Sequence, residues 1–144
     1  MEGCLFSGSA RFRCAYLATD YVVRYGPHDV VIRIDHKSQA VDRLLSRFNA
    51  RTGVFITAWN PLSKARGLAA NTAAHRRLVG VLRSAAKPFL EGDGRGTDGD
   101  WPPEQSLLAF GLDRRAAASL GRRFRQNAVV FTERKRPAEL LMLR

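Results

Sequence analysis

Between Val54 and Phe131 the chain reads strand, helix, strand, strand, helix, strand, and its unusual polar residues stand at the ends of those elements. That order is restrictive. A right-handed helical crossover makes the first two strands of the set parallel, and the third and fourth then run the opposite way, as in a split βαβ repeat. The end of the first strand, the start of the helix after it, and the starts of the third and fourth strands fall at one edge. The residues so gathered are Trp59, Asn60, Asn71, Trp101, Glu104, Ser106, Gln126 and Asn127, with Ser63 close by in sequence. The expected fold is α+β, with a ferredoxin-like split βαβ core over about 54–131, an N-terminal β-hairpin plus helix before it, and a possible C-terminal strand.

The individual elements follow from local pattern. Asp20–Tyr25 and Val30–Ile34 are β-branched and aromatic and flank Gly26-Pro27-His28-Asp29, so they predict a hairpin. Ser38 can cap a helix carrying Val41, Leu44, Leu45 and Phe48 at helical spacing. Val54–Trp59 reads as a buried central strand stopped by Asn60-Pro61. A second helix over about 68–86 turns Leu68, Leu78, Val79, Leu82 and Ala86 inward, and Asn71 and His75 interrupt that stripe. Pro88–Leu90 begins a strand, and residues 91–104, with four glycines, two prolines and five acids, read as a flexible hairpin lid. Ser106–Phe110 is the next strand, Asp113 caps a helix over 114–124, Gln126–Phe131 is another strand, and Glu139–Leu143 is the possible last one. Residues 1–14 show no sustained period and read as an extension to a single α+β domain over 15–144.

Bulk properties narrow the class. A chain of 144 residues is long enough to bury a core without metals or disulfides. No apolar run approaches the ~18–20 residues of a membrane span, and the N-terminus makes a poor secretory signal, so the expectation is a cytoplasmic protein with no membrane partner. Cys4 and Cys14 are the only cysteines and, on that compartment argument, are read as free thiols. Against 13 Asp and Glu stand 24 Lys and Arg, a net charge of +11 that draws the chain toward polyanions. Arg122, Arg123 and Arg125, at the end of the 114–124 helix, are the candidate anion or nucleic-acid contacts.

Three segments, Phe55-Ile-Thr-Ala-Trp-Asn-Pro61, Gly99-Asp-Trp-Pro-Pro-Glu-Gln-Ser106 and Phe124-Arg-Gln-Asn-Ala128, resemble a small bacterial family catalogued only as a domain of unknown function. The resemblance covers about Tyr21 to Phe131 and implies a bacterial, single-domain identity without an activity. Where the family pattern often carries glycine, this chain has Arg125.

Catalytic chemistry is thinly represented. Asp93 and Glu104 stand at the first and twelfth places of a possible calcium loop, but Arg95 and Asp98 occupy the third and sixth, where a ligand and a glycine are needed. No metal set, phosphate loop or nucleophile elbow is present, and no cofactor is expected. Proton transfer could use only Glu104 and His75. Trp59 and Trp101 offer stacking surfaces or core packing, and the amides of Asn60, Asn71, Gln126 and Asn127 either face a ligand or pin loops. The expectation is a non-catalytic binding module for a nucleotide, nucleic acid or other anionic partner at the polar sheet edge. An enzyme using Glu104 and His75, or a structural or protein-partner module, is the alternative.

Overall fold

Val54, Phe55 and Ile56 are almost wholly shielded from solvent, and each such side chain contributes about 1.5–3 kcal/mol when buried. They belong to the central strand of a computed structural model that describes residues 9–97 and 102–144, with the backbone alone for 9–11. In chain order the elements are α1 (Ser9–Leu17), β1 (Thr19–Tyr25), β2 (His28–Ile32), α2 (Gln39–Arg47), β3 (Thr52–Thr57), a short 3-10 turn (Pro61–Ser63), α3 (Leu68–Ser84), β4 (Phe89–Gly96), β5 (Glu104–Phe110), α4 (Arg114–Arg123), β6 (Ala128–Glu133) and β7 (Glu139–Met142). The protein is thus mixed α+β. Among the described residues there are four α-helices and one seven-stranded sheet, ordered β2-β1-β4-β5-β3-β6-β7, with every neighbouring pair antiparallel.

The sheet buries both faces, which is why β3 and β5 read as continuous apolar runs rather than alternating ones. On one face Phe55, Leu108, Phe110 and Val130 pack with Leu44 and Leu45 of α2. On the other, Val54, Ile56, Leu107 and Phe131 pack with Leu78 and Leu82 of α3 and Ala117 and Leu120 of α4. The helix starts are capped as their sequences dictate: Ser38 Oγ accepts from the Val41 N–H at 3.2 Å, and Asp113 Oδ1 from the Ala116 N–H at 2.8 Å. The first hairpin closes more tightly than expected, on Gly26-Pro27 alone, because Gly26 at φ +64 supplies the positive φ a two-residue loop needs.

Three expectations need correction. Residues 91–96 are not lid but strand, paired to β1 on one side and β5 on the other. Glycine tolerates this position because the strand is held from both sides, and at Gly92 a side chain would run into the Val22 carbonyl oxygen and press on the Phe55 ring. The remainder of the expected lid, 98–101, lies outside the described residues. Next, α1 begins at Ser9, so the boundary expected at residue 14 falls inside a helix. That helix has little amphipathic pattern, and nothing local announces it. Finally, Cys14 is disulfide-bonded rather than a free thiol, so the consequence drawn from the expected cytoplasmic location does not hold. Cys4 lies outside the described residues.

Candidate functional site

The register puts the C-terminal end of β3 beside the N-terminal ends of β5 and β6: Thr57 lies opposite Ser106 and Phe55 opposite Val130. From there the chain leaves through Asn60, Leu62 and Ser63, all with positive φ, a conformation costly for Leu and Ser and easier for Asn. Side chains from distant elements hold it. Asn71 of α3 accepts from the Asn60 N–H at 2.9 Å and returns a hydrogen bond from Nδ2 to Asn60 Oδ1 at 3.0 Å. Asn60 Nδ2 donates to Glu104 Oε1 at 2.8 Å, and its Oδ1 also accepts from the Arg66 N–H at 2.9 Å. Gln126 Nε2 donates to the Trp59 carbonyl at 3.2 Å, Asn127 Nδ2 to Ser63 Oγ at 2.8 Å, and Leu62 N–H to the Arg125 carbonyl at 2.7 Å. The amides therefore pin this loop, each to a partner far away in sequence.

The pinned loop forms one rim of a cavity of about 370 Å³ between α1 and the sheet. Of the expected site residues, Asn60, Ser63, Glu104, Ser106 and Gln126 line it. Its walls are Tyr16 from α1, Tyr21 from β1 and Phe55 from β3, the last two rings meeting edge to face at 5.2 Å. Gly94 and Gly96 also line it. Glycines at 92, 94 and 96 share one face of β4 because strand side chains alternate, so this face of the sheet is left without side chains where the cavity opens. That alternation is the signal in the sequence that points to the cavity. No comparable signal marks Tyr16 or Thr57.

Both tyrosines stay protonated at neutral pH. Burial pushes the Tyr16 phenol above its ordinary range, with a hydrogen bond to Ser63 pulling it partly back and the Glu104 charge pushing it up further. Burial raises Tyr21 more strongly, and its hydroxyl donates to the Tyr16 carbonyl at 2.9 Å. Among the described residues the site therefore offers phenol, hydroxyl and amide groups with one carboxylate, and neither phenol is poised as a base.

Other expected residues fall elsewhere. His75, 5% exposed, lies on the α3 face of the sheet, where Nε2 is 3.1 Å from Glu91 Oε2. Glu104 opens to the opposite face, so the anticipated acid and base do not meet. Trp59 is half-buried and away from the cavity, and its indole N–H has no hydrogen-bond partner among the described residues. Trp101 lies outside them. Arg123 and Arg125 line a second cleft with Arg66 and Arg77, which sequence reasoning missed, while Arg122 is exposed at the end of α4 outside that lining. Asp93 spends its carboxylate on Arg24 and Arg95. Among the described residues no group of three His, Cys, Asp or Glu could hold a metal, and no helix is long and apolar enough to cross a membrane.

No curated protein and no solved structure matches the chain. The family described as protein of unknown function DUF3293 matches residues 56–129, which run from the end of β3 into β6 and carry the loop, Glu104, Ser106 and the Gln126-Asn127 pair; the chain belongs to that family.

Proposed function

We propose that this protein is a non-catalytic binding module that takes a small organic molecule into the cavity beneath α1. The observation that carries the reading is the cavity itself. Its size falls within the range of small-molecule sites, and it has the composition such sites share, aromatic and aliphatic walls with a few converging polar groups. Glu104 is the only charged side chain in the lining among the described residues. The ligand's polar end meets the Ser63, Ser106 and Tyr16 hydroxyls, beside the Glu104 carboxylate that already accepts from Asn60 Nδ2. Its body is apolar and packs on Tyr21 and Phe55. A nucleobase or nucleoside meets this description, and a phosphate in this cavity does not. We read the frame from β3 to β6 as a ferredoxin-like split βαβ core, with α1 and β1 added to close the open face.

The enzyme reading is disfavoured by the separation of His75 from Glu104 and by the protonated state of Tyr16. Ligand-observed NMR with neutral and cationic heteroaromatic compounds (adenine, adenosine, tryptamine) tests the proposal, using the wild type and Gly94→Leu. A Cβ at Gly94 meets nothing closer than 3.9 Å, so leucine there fills the cavity without a clash at its root. At least one compound is expected to bind the wild type and to be lost in the variant. Binding that survives the leucine would place the ligand elsewhere.

A further inference from the structure

Arg66, Arg77, Arg123 and Arg125 line one cleft of about 300 Å³ on the side of the 60–67 loop away from the cavity. Arg66 comes from that loop, Arg77 from α3, Arg123 from the last turn of α4 and Arg125 from the turn after it. None of the four side chains has an ion-pair or hydrogen-bond partner among the described residues, and no carboxylate lines the cleft there. Elsewhere Arg24, Arg33, Arg51, Arg95, Arg114 and Arg136 each pair with an Asp or Glu. Arg43, Arg47, Arg76, Arg115 and Arg122 have no such partner among the described residues but lie outside this lining, so what distinguishes the cleft is the convergence of four unpaired guanidiniums. Four like charges from three elements repel one another unless an anion sits between them. Complementing the helix dipole accounts for Arg123 at the C-terminus of α4, but not for Arg66 or Arg77.

Arg125 adds a second observation. It occupies the left-handed position (φ +56) that follows a helix, where glycine carries no steric cost. The backbone is held there by hydrogen bonds from the Arg125 N–H to Arg122 O at 2.9 Å and from the Leu62 N–H to Arg125 O at 2.7 Å. An arginine at this position bears the strain of the conformation and places a guanidinium over the cleft.

We infer that the cleft binds linked phosphates, a diphosphate or longer, either free or as the end of an organic molecule. A single phosphate carries roughly two negative charges at neutral pH, so four guanidiniums match two joined phosphates better than one. The planar forks suit their oxygens, and Phe124 and Val81 in the same lining offer an apolar wall to an organic group. The arginines converge on one cleft rather than forming a stripe, which favours a small ligand over a nucleic acid strand. This inference does not depend on the cavity's ligand.

The test is calorimetric titration of the full chain with inorganic pyrophosphate at about 150 mM salt, where non-specific attraction is screened. One pyrophosphate per chain is expected, with orthophosphate weaker by about tenfold or more. Arg77→Ala and Arg125→Gly should each weaken pyrophosphate by about tenfold, whereas Arg43→Ala, an equal loss of charge on α2, should leave it unchanged. Because glycine suits the backbone at 125, that variant is expected to unfold no earlier than the wild type, so lost binding there reports the guanidinium. Gly94→Leu should retain pyrophosphate binding, separating this site from the cavity. ADP binding more tightly than pyrophosphate would identify an organic diphosphate, and equal or weaker binding a free one. No pyrophosphate binding, or the same loss in Arg43→Ala, would overturn the inference. So would a single-stranded oligonucleotide that outcompetes ADP and needs the same arginines.

Discussion

Replacing Asn71 with alanine removes three hydrogen bonds at once: those to the Asn60 N–H, to Asn60 Oδ1 and to the Arg66 carbonyl. Asn71 is 3% exposed and Asn60 8%, so the Asn60 N–H is left without an acceptor and with little access to water. Such an orphaned donor costs about 1–3 kcal/mol. The two acceptors lose less, because Asn60 Oδ1 keeps the Arg66 N–H and Arg66 is exposed to solvent. Alanine regains roughly 0.5 kcal/mol as the better helix former. The net expectation is a loss of about 2–3 kcal/mol, seen in urea unfolding as a midpoint lower by roughly 1–1.5 M for an ordinary denaturant slope. Asn71→Asp keeps the volume and one acceptor but sets oxygen against two oxygens, so it should lose at least as much at neutral pH and recover partly on acidification, as a protonated carboxyl regains a donor. A loss below about 1 kcal/mol for alanine would mean that the 60–63 loop does not depend on this network.

Two further outcomes follow from the same geometry. Gly92→Ala should cost about 1–3 kcal/mol in thermal or urea unfolding, since its Cβ meets the Val22 carbonyl and the Phe55 ring, both held in the core. An unchanged midpoint would refute the close approach of β4 to β1. Tyr21 governs alkaline stability: its phenol is raised in the folded state, so above about pH 10 the unfolded chain gives up that proton first and stability falls by up to about 1.4 kcal/mol per pH unit, while below pH 10 the contribution is fully present. Urea midpoints between about pH 9 and 11 should fall less steeply in Tyr21→Phe, and an equal slope would count against burial of the hydroxyl.

The amide residues were legible because their types are out of place. Asn71 and His75 break an apolar helical stripe, and Asn60 precedes a proline where a buried strand stops. Each proves to be internally satisfied in part or whole, Asn71 by the loop and His75 by Glu91. What each interruption is for depends on the face of the sheet it meets, and helical spacing alone does not reveal that. Asn71 reaches the site, whereas His75, four residues along the same helix, lies with Glu91 on the other side of the sheet from Glu104. Glycine-rich 91–96 misled for a related reason. Propensity argues against a strand, but two flanking partners satisfy the backbone and override it.

By itself the amino-acid order determined most of the strands and helices, though not α1 or the glycine-rich part of β4, where Ser38 and Asp113 start two of the helices, and which strand ends carry amides. These depend on spacing and caps within a few residues, where the chain's own covalent geometry sets the neighbours. Only the tertiary structure decided that β1 would pair with β4, that α1 would cover the side-chain-free patch over Gly94 and Gly96, and that Arg66 and Arg77 would join Arg123 and Arg125. Those outcomes come from surfaces brought together across 40 or more residues, as Arg77 and Arg123 are. Their fit is a matter of shape and charge that no local window contains.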